Sequence, residues 1–317
     1  MRQRQASFCC AVVFVLVGLG LASRDAHAQA WVGDKGSLDV SLDYNLGISN
    51  NVIGDSDLDI DPGQAGNQSK FPDSGVTTHQ IALAAEFVPL PRLAVTVGLP
   101  FVFLKYTGNQ TAFPHPGGGS YDDGSTFKTP TDLRTSVRYQ VLEEPFALSP
   151  HLGVSIPVAN YEYVGNAVAG RHLKALHAGL SVGRQLGDAT YVHLTYEFSL
   201  VEKFDLTAET AKHGQNRSDL AFTIGHKLLQ QRLDLHLDAS LRATHGGVNF
   251  SEFGMLTETE LLYHDVLLDE DIFLAGGGLG YQLTNSLSMS LAARFFVKGS
   301  NTQNANVFAL GFVWSPL

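Results

Sequence analysis

Apolar and polar residues alternate along most of the chain. In the segment from Gly36 to Ile48, every second residue from Leu38 onward is apolar, and the residues between them are small or polar. Successive side chains of a β-strand point to opposite faces, so this pattern predicts a strand with one apolar and one polar face. The same period predicts twelve strands, at residues 36–48, 81–87, 93–103, 133–141, 148–158, 176–182, 192–200, 220–224, 233–241, 273–283, 287–297 and 308–314.

The connections between these strands alternate in length. Five are short turns, near residues 89–91, 143–145, 187–188, 230–231 and 284–285. Six are longer polar segments, at residues 49–77, 104–128, 159–172, 201–217, 245–270 and 299–304. Outer-membrane barrels have even strand numbers, short periplasmic turns and longer extracellular loops. The sequence therefore predicts an all-β fold, a single transmembrane antiparallel up-and-down β-barrel of about twelve strands.

A soluble β-sandwich would also alternate, because one face of each sheet meets a core. Two features favour the membrane barrel. Several predicted strands reach about ten residues, the length that spans a bilayer when tilted. Aromatic residues also occur near both strand ends on the apolar face, as the two aromatic girdles of a barrel require. They are Phe87, Tyr139, Phe146 and Tyr281 at the turn side, and Phe101, Phe103, Tyr196, Phe198, Phe295 and Phe308 at the loop side.

The N-terminus has the pattern of an export signal. Arg2 and Arg4 precede an apolar stretch of 15 residues, 8–22, and two A-x-A cleavage sites follow at 26–28 and 28–30. An uncleaved anchor helix is the alternative, but the apolar stretch is short for a membrane span. We therefore predict two regions, a cleaved signal peptide at 1–30 and an outer-membrane barrel at 31–317. Both cysteines lie within the signal, so the mature chain has no disulfide.

Composition and charge narrow the class of protein. Among the 317 residues, 16% are charged, against about 25% in an average protein, and the formal net charge is −10. This composition excludes a disordered chain, and a nucleic-acid partner would need a basic face. The last predicted strand, with Phe308, Leu310, Phe312 and Trp314 on one face, resembles the C-terminal signal recognised by the barrel-assembly machinery. We expect the outer membrane of a Gram-negative bacterium as location, with the lipid bilayer and lipopolysaccharide as partners.

Alternate side chains of each strand share a face, and this parity assigns the polar face of every strand to the lumen. The candidate pathway residues are Asp132, Arg134, Arg138, His177, His193, Glu197, Asp234, His236, Asp238, Arg242 and Arg294. The same alternation places four more polar residues on the lumen face, namely His151, Asp219, Lys227 and Lys298. These residues form either an ion-paired interior that stiffens the barrel or a polar path for a small solute. Arg134 and Arg138 share one face, where they could attract an anion or pair with Asp132 and a neighbouring carboxylate.

The sequence offers little support for a metal, a cofactor or a catalytic site. Asp55, Asp57, Asp59 and Asp61 are weak calcium candidates, because the spacing lacks the glycine and terminal glutamate of a calcium loop. We expect no cofactor. Some twelve-stranded barrels are outer-membrane lipases, but no nucleophile motif marks any serine here, and catalysis needs a nucleophile with a base in reach. We therefore predict that the chain is not an enzyme.

Three segments together resemble a known family. They are residues 93–101 (LAVTVGLPF), 132–139 (DLRTSVRY) and 177–187 (HAGLSVGRQLG), and their order is similar to the outer-membrane transporter-like family named for the MetA pathway of phenol degradation. Thr131 stands where that family usually has glycine. The resemblance covers most of residues 80–317 and implies a barrel that passes hydrophobic or aromatic compounds across the outer membrane.

The function predicted from these observations is passive uptake of small solutes, with hydrophobic or aromatic compounds among them. The alternative is a structural or surface-binding barrel without transport. Channels for long-chain fatty acids carry an N-terminal hatch, but the first strand here begins directly after the signal and leaves no room for one. If the lumen is plugged, we expect an inward loop to do it, with 49–77 or 104–128 as candidates.

Overall fold

The computed structural model describes residues 30–54, 70–71, 74–108, 120–161, 163–203, 215–249 and 262–316. These residues form almost only β-strands, because the alternating segments pair into long antiparallel ladders. In chain order the elements are β1 (Leu38–Ser49), β2 (Val52–Ile53), β3 (Lys70–Phe71), β4 (Val76–Leu90), β5 (Leu93–Tyr106), β6 (Thr126–Pro130), β7 (Asp132–Tyr139), β8 (Ala147–Pro157), β9 (Ala175–Gln185), β10 (Thr190–Val201), β11 (Asn216–Leu228), β12 (Leu233–His245), α1 (His264–Leu267), β13 (Asp271–Thr284), β14 (Leu287–Ser300), β15 (Thr302–Gln303) and β16 (Asn306–Trp314).

The long strands close into one antiparallel barrel of twelve wall strands. Neighbours along the chain pair with each other, and β1 pairs with β16 to close the ring, with Val40 opposite Trp314. β6 and β7 both pair with β5 and make one wall strand that is interrupted at Thr131. Each predicted strand corresponds to one wall strand, so the prediction of an all-β, up-and-down barrel is confirmed.

The wall turns apolar side chains outward and polar side chains inward. Leu83, Leu152 and Leu237 point outward and are 56%, 62% and 66% exposed, whereas Ser181 and Ser240 point inward and are buried. A soluble protein buries its large apolar side chains. The inverted arrangement is the one that a barrel in a bilayer requires.

A bulge in β14 corrects one predicted lumen position. Phe296 pairs with Leu274, but the next pair joins Lys298, not Val297, to Phe273. The extra residue shifts the alternation by one, so Lys298 shares a face with Phe273 outside the barrel and is exposed. The prediction that Lys298 faces the lumen is wrong, because strict counting with period 2 does not anticipate a bulge.

The two ends of the barrel differ in the length of their connections. We call the end with short connections, such as residues 91–92 and 285–286, the turn end, and the opposite end the loop end. At the loop end, β2, β3 and β15 form a small separate sheet. The connection between β12 and β13 contains the four-residue helix α1. No helix within the described ranges is long and apolar enough to cross a membrane.

A loop not singled out from the sequence enters the lumen at the loop end. Residues 158–174 connect β8 to β9, and Ala167 and Ala169 of this loop pack against Val76 and Leu104. Most of the two loops that we expected to turn inward, 49–77 and 104–128, lies outside the described residues. The loop that does turn inward carries small residues, which let its backbone approach the wall.

The segment before β1 enters the lumen at the turn end. Ala30 is fully buried, and its carbonyl oxygen accepts a hydrogen bond from Ser149 Oγ at 2.6 Å. Gly183 leaves room for this segment, since a Cβ built there would lie 2.4 Å from the ring of Trp31. The expectation that only a loop could fill the lumen is therefore wrong. A few residues suffice, because a twelve-stranded barrel encloses little space.

Candidate functional site

Buried ion pairs join next-nearest wall strands on the lumen side near the turn end. Arg138 on β7 donates to both carboxylate oxygens of Glu86 on β4, at 3.0 and 3.2 Å, and Thr96 Oγ1 donates to the same carboxylate at 2.8 Å. Both charged side chains are at most 10% exposed. Arg138 also reaches the carbonyl oxygen of Trp31 at 3.5 Å, so this pair holds the N-terminal segment.

Further predicted lumen residues near the turn end are also paired. Arg294 on β14 pairs with Asp238 on β12 across Gly276 of β13, which stands between them in the ladder and presents no side chain. Asp234 accepts a hydrogen bond from Tyr191 at 3.0 Å and lies 3.4 Å from a ring nitrogen of His236. The buried imidazole of His193 is hydrogen-bonded to the Thr195 hydroxyl at 3.0 Å.

Glu197 on β10 organises the middle of the lumen. It pairs with Arg134 on β7, and its carboxylate lies 3.0 Å from His151 Nε2 and 3.4 Å from His177 Nδ1. The contact with His151 crosses Gly179 of β9, where a Cβ would lie 2.4 Å from the imidazole. A glycine in the intervening strand therefore lets residues of next-nearest strands meet, as it does at Gly276.

A cavity of about 480 Å³ lies above this layer, toward the loop end. Five of the eleven predicted pathway residues line it, namely Asp132, Arg134, His177, Glu197 and Arg242. The other six lie nearer the turn end, namely Arg138, His193, Asp234, His236, Asp238 and Arg294. The structure thus divides the predicted set into an upper group around a cavity and a lower group that is paired and closely packed.

The wall, the inward loop and the segment from α1 to β13 contribute further charged residues to the cavity, beyond the eleven predicted pathway residues. They are Arg171, Arg217, Asp265 and Glu270, together with Asp219 from the wider parity set. Arg242 Nε donates to Asp219 at 3.0 Å, and Arg242 Nη1 lies 3.9 Å from Glu270. Arg217 belongs to β11, which begins four residues before the strand predicted at 220–224. Arg171 lies in the inward loop and Asp265 in the short helix α1, where no strand period marks a side chain as inward.

Arg134 and Arg138 pair with carboxylates, as one of the two roles considered for them requires, but Asp132 is not among the partners. Their partners are Glu197 and Glu86, and Asp132 instead accepts a hydrogen bond from Tyr161 of the inward loop at 2.7 Å. Glu86 lies on the polar face of the strand predicted at 81–87, so parity alone could have found it. Its partnership with Arg138 could not be found, because it depends on how far neighbouring strands are shifted.

The inward loop is tied to the loop end by Asp122. The Asp122 carboxylate accepts hydrogen bonds from the backbone N–H and the side-chain amide of Asn166, at 2.9 and 2.7 Å. Burial raises the pKa of Asp122 above its usual range, and burial raises the pKa of Asp265 on α1 to about 7. Burial also lowers the pKa of Arg171 to about 10. These groups titrate away from their ordinary ranges because the loops cover them.

No group of three or more potential metal ligands occurs in the described ranges. The weak calcium candidates Asp55, Asp57, Asp59 and Asp61 lie outside those ranges, so their role stays a prediction.

Comparison with known proteins supports the fold. No protein-family model and no curated protein matches the chain. Among solved structures, it is similar to an outer membrane channel from Pseudomonas putida F1, with a TM-score of 0.68, 14% identity, and coverage of 93% of this chain and 100% of that one. It is also similar to the translocator domain of the autotransporter NalP from Neisseria meningitidis, with a TM-score of 0.50, 10% identity and 89% coverage of both chains. At these identities the similarity establishes an outer-membrane type of barrel.

Proposed function

We propose that the chain is a passive outer-membrane channel for small solutes in a Gram-negative bacterium. The observation that carries this proposal is the cavity of about 480 Å³ inside a closed barrel whose outer face is apolar. A barrel that only anchors surface loops in the membrane does not need an internal cavity large enough for a small molecule. The turn end would face the periplasm and the loop end the outside.

The lining of the same cavity favours hydrophobic or aromatic compounds among the solutes. Ala167, Ala169 and Leu173 of the inward loop, with Val76 and Leu104 of the wall, give it an apolar side. The resemblance to the phenol-degradation family points in the same direction. We infer that the lumen charges act mainly as structural pairs, and that the solute path runs past them.

Passage through the barrel requires the N-terminal segment to move. Trp31 and Val32 remain after cleavage behind Ala30 and are held at the turn end. Arg138 donates to the Trp31 carbonyl oxygen, and the Val32 N–H donates to Gln140 Oε1 at 2.8 Å. Such hydrogen bonds contribute about 1–3 kcal/mol net, the larger values applying to a charged donor, so a segment held by two of them can leave at a modest cost. We therefore propose a channel that is mostly closed and opens at the turn end.

Solute flux through liposomes tests this function. Liposomes that contain the refolded mature protein should swell faster in a solution of a small aromatic alcohol than empty liposomes do, and should exclude a trisaccharide. Folding is checked by the faster migration of the unheated protein on a denaturing gel. Equal swelling of protein-containing and empty liposomes, with folded and inserted protein, would refute transport and leave the structural barrel as the function.

Several other expectations remain proposals of the same kind. We propose that the protein is not an enzyme, that its last strand engages the barrel-assembly machinery, and that lipopolysaccharide surrounds its loop end. We also propose that residues 1–30 are removed on export. N-terminal sequencing would distinguish this cleavage from one after Ala28, which would retain Ala30 and its contact with Ser149.

A further inference from the structure

The cavity toward the loop end has a basic side and an apolar side that face each other. Arg217 on β11 and Arg242 on β12 lie on one side, and Val76 on β4 and Leu104 on β5 lie on the other. In the ring of twelve strands, β4 and β5 are about half a turn away from β11 and β12. The inward loop adds Arg171 and the small residues around Ala169, and Asp219 and Glu270 lie beside the arginines. A guest in the cavity would therefore meet charged groups at one end and apolar surface at the other.

Two of the four arginines that line the cavity have no carboxylate of the described ranges within ion-pair distance. Arg134 pairs with Glu197, and Arg242 pairs with Asp219 at 3.0 Å. In contrast, Arg171 Nη1 and Arg217 Nε are shielded from solvent and have no hydrogen-bond acceptor. A buried donor without an acceptor costs free energy. An acceptor supplied by a ligand would remove that cost.

The carboxylates around the two arginines are largely committed elsewhere. Glu270 accepts a hydrogen bond from Thr302 Oγ1 at 2.8 Å and lies 3.9 Å from Arg242. Asp132 accepts a hydrogen bond from the Tyr161 hydroxyl. Burial raises the pKa of Asp265 to about 7, so this carboxyl carries less negative charge at neutral pH than an ordinary aspartate. These groups therefore leave room for one more negative charge beside Arg171 and Arg217.

We propose that this cavity binds a small organic anion with an apolar body, such as an aromatic carboxylate. Its carboxylate would accept hydrogen bonds from Arg171 and Arg217, and its ring would lie against Val76, Leu104 and Ala169. The cavity volume of about 480 Å³ lies within the range of sites for single small molecules. The proposal deepens the proposed function, because it names the solute class that the channel would retain longest.

Calorimetric titration of the folded mature protein in detergent tests the binding. The probes are benzoate, its neutral isostere benzamide, and the cation benzylammonium. Benzoate should bind at least about tenfold more tightly than benzamide, since hydrogen bonds to charged groups are worth more than neutral ones. Benzylammonium should not bind. Equal affinity for benzoate and benzamide would overturn the proposal.

Paired variants assign the binding to the two arginines. The double variant Arg171→Gln and Arg217→Gln should lower the affinity for benzoate at least about tenfold and leave the affinity for benzamide unchanged. Lysine at both positions keeps the charge and should retain part of the affinity, which also covers the case in which the glutamine variant fails to fold. Arg232→Gln, in an exposed turn at the opposite end, is the matched control and should change nothing. An unchanged benzoate affinity in the folded glutamine or lysine variants would place the anion elsewhere and overturn the proposal.

Failure of this inference can be told apart from failure of the proposed function. Benzoate binding without any solute flux would sustain the cavity site and refute the channel. Solute flux without preferential binding of benzoate would sustain the channel and refute the anion site in the cavity.

Discussion

At the scale of single residues, the lumen depends on charge pairs that reach across one or two intervening strands and on glycines that make room for them. Gly179 and Gly276 lie between the partners of two such pairs, and Gly183 lies against Trp31. Parity alone placed Glu197, Asp238 and most of the other predicted residues on the inner face, because alternation fixes the face of each side chain. It could not assign partners, since these depend on strand shifts that no local pattern records.

The buried pair of Glu86 and Arg138 should be worth far more than an exposed one. Arg138→Met leaves Glu86 charged and without its partner in a closely packed lumen, which should cost about 3–5 kcal/mol of unfolding free energy. Removal of both charges, with Glu86→Met added, should recover most of this loss. Unfolding in urea, in the presence of lipid vesicles, measures the difference.

The matched control for this prediction is the pair of Arg92 and Glu143 in two neighbouring turns. These atoms also lie 3.0 Å apart, but the side chains are 45% and 54% exposed. Arg92→Met should therefore cost about 0–1 kcal/mol. Similar losses for Arg92→Met and Arg138→Met would show that the lumen is hydrated like an open surface.

At the scale of elements, the twelve wall strands were predictable and the inward segments were not. A strand with one face in lipid and one in the lumen has the period that a sequence displays most clearly, as in β1 and β8. The loop of residues 158–174 and the segment before β1 have no period, because their contacts are made one residue at a time. The sequence therefore determined the wall well and gave little information on what fills the lumen.

The helix α1 should lose stability as pH rises, because of Asp265. The pKa of this carboxyl is about 7 in the folded chain and about 3.9 when unfolded. Between these values the folded form binds more protons, so its stability falls as pH increases. Amide hydrogen exchange at residues 262–268, corrected for the intrinsic rate, should show protection that decreases from pH 5 to pH 8.

Asp265→Asn should flatten this pH profile, since asparagine stays neutral. Asp123→Asn is the matched control, because Asp123 is fully exposed and a hydrogen bond from Ser125 lowers its pKa. That variant should keep the wild-type slope. A slope that survives Asp265→Asn would assign the pH dependence to another group.

At the scale of the whole molecule, the barrel is apolar outside and polar inside. This inversion was predictable from the sequence, because the apolar face carries leucine and aromatic residues along every strand, while the other face carries paired charges. The narrow lumen followed from the strand number. The closure at the turn end could not be predicted from the sequence, since it depends on a short segment that has no distinguishing sequence pattern.

Placement of the outer face in a bilayer predicts the cost of an outward charge. Leu152 is the middle residue of β8 and is 62% exposed, so Leu152→Arg should cost about 2–4 kcal/mol in lipid vesicles. Leu229 is 65% exposed in a turn, and Leu229→Arg should cost about 0–1 kcal/mol there. Equal costs at the two positions would argue against a membrane around the wall.

The most direct test of the account is the single-channel conductance of the refolded mature protein, compared with a variant that lacks residues 31–35. The account predicts small and brief openings for the intact mature chain, and larger, steady openings once the segment held by Arg138 and Gln140 is gone. Silence from both proteins, each shown to be folded and inserted, would contradict a solute path through the lumen. Identical openings in both would contradict closure by the N-terminal segment.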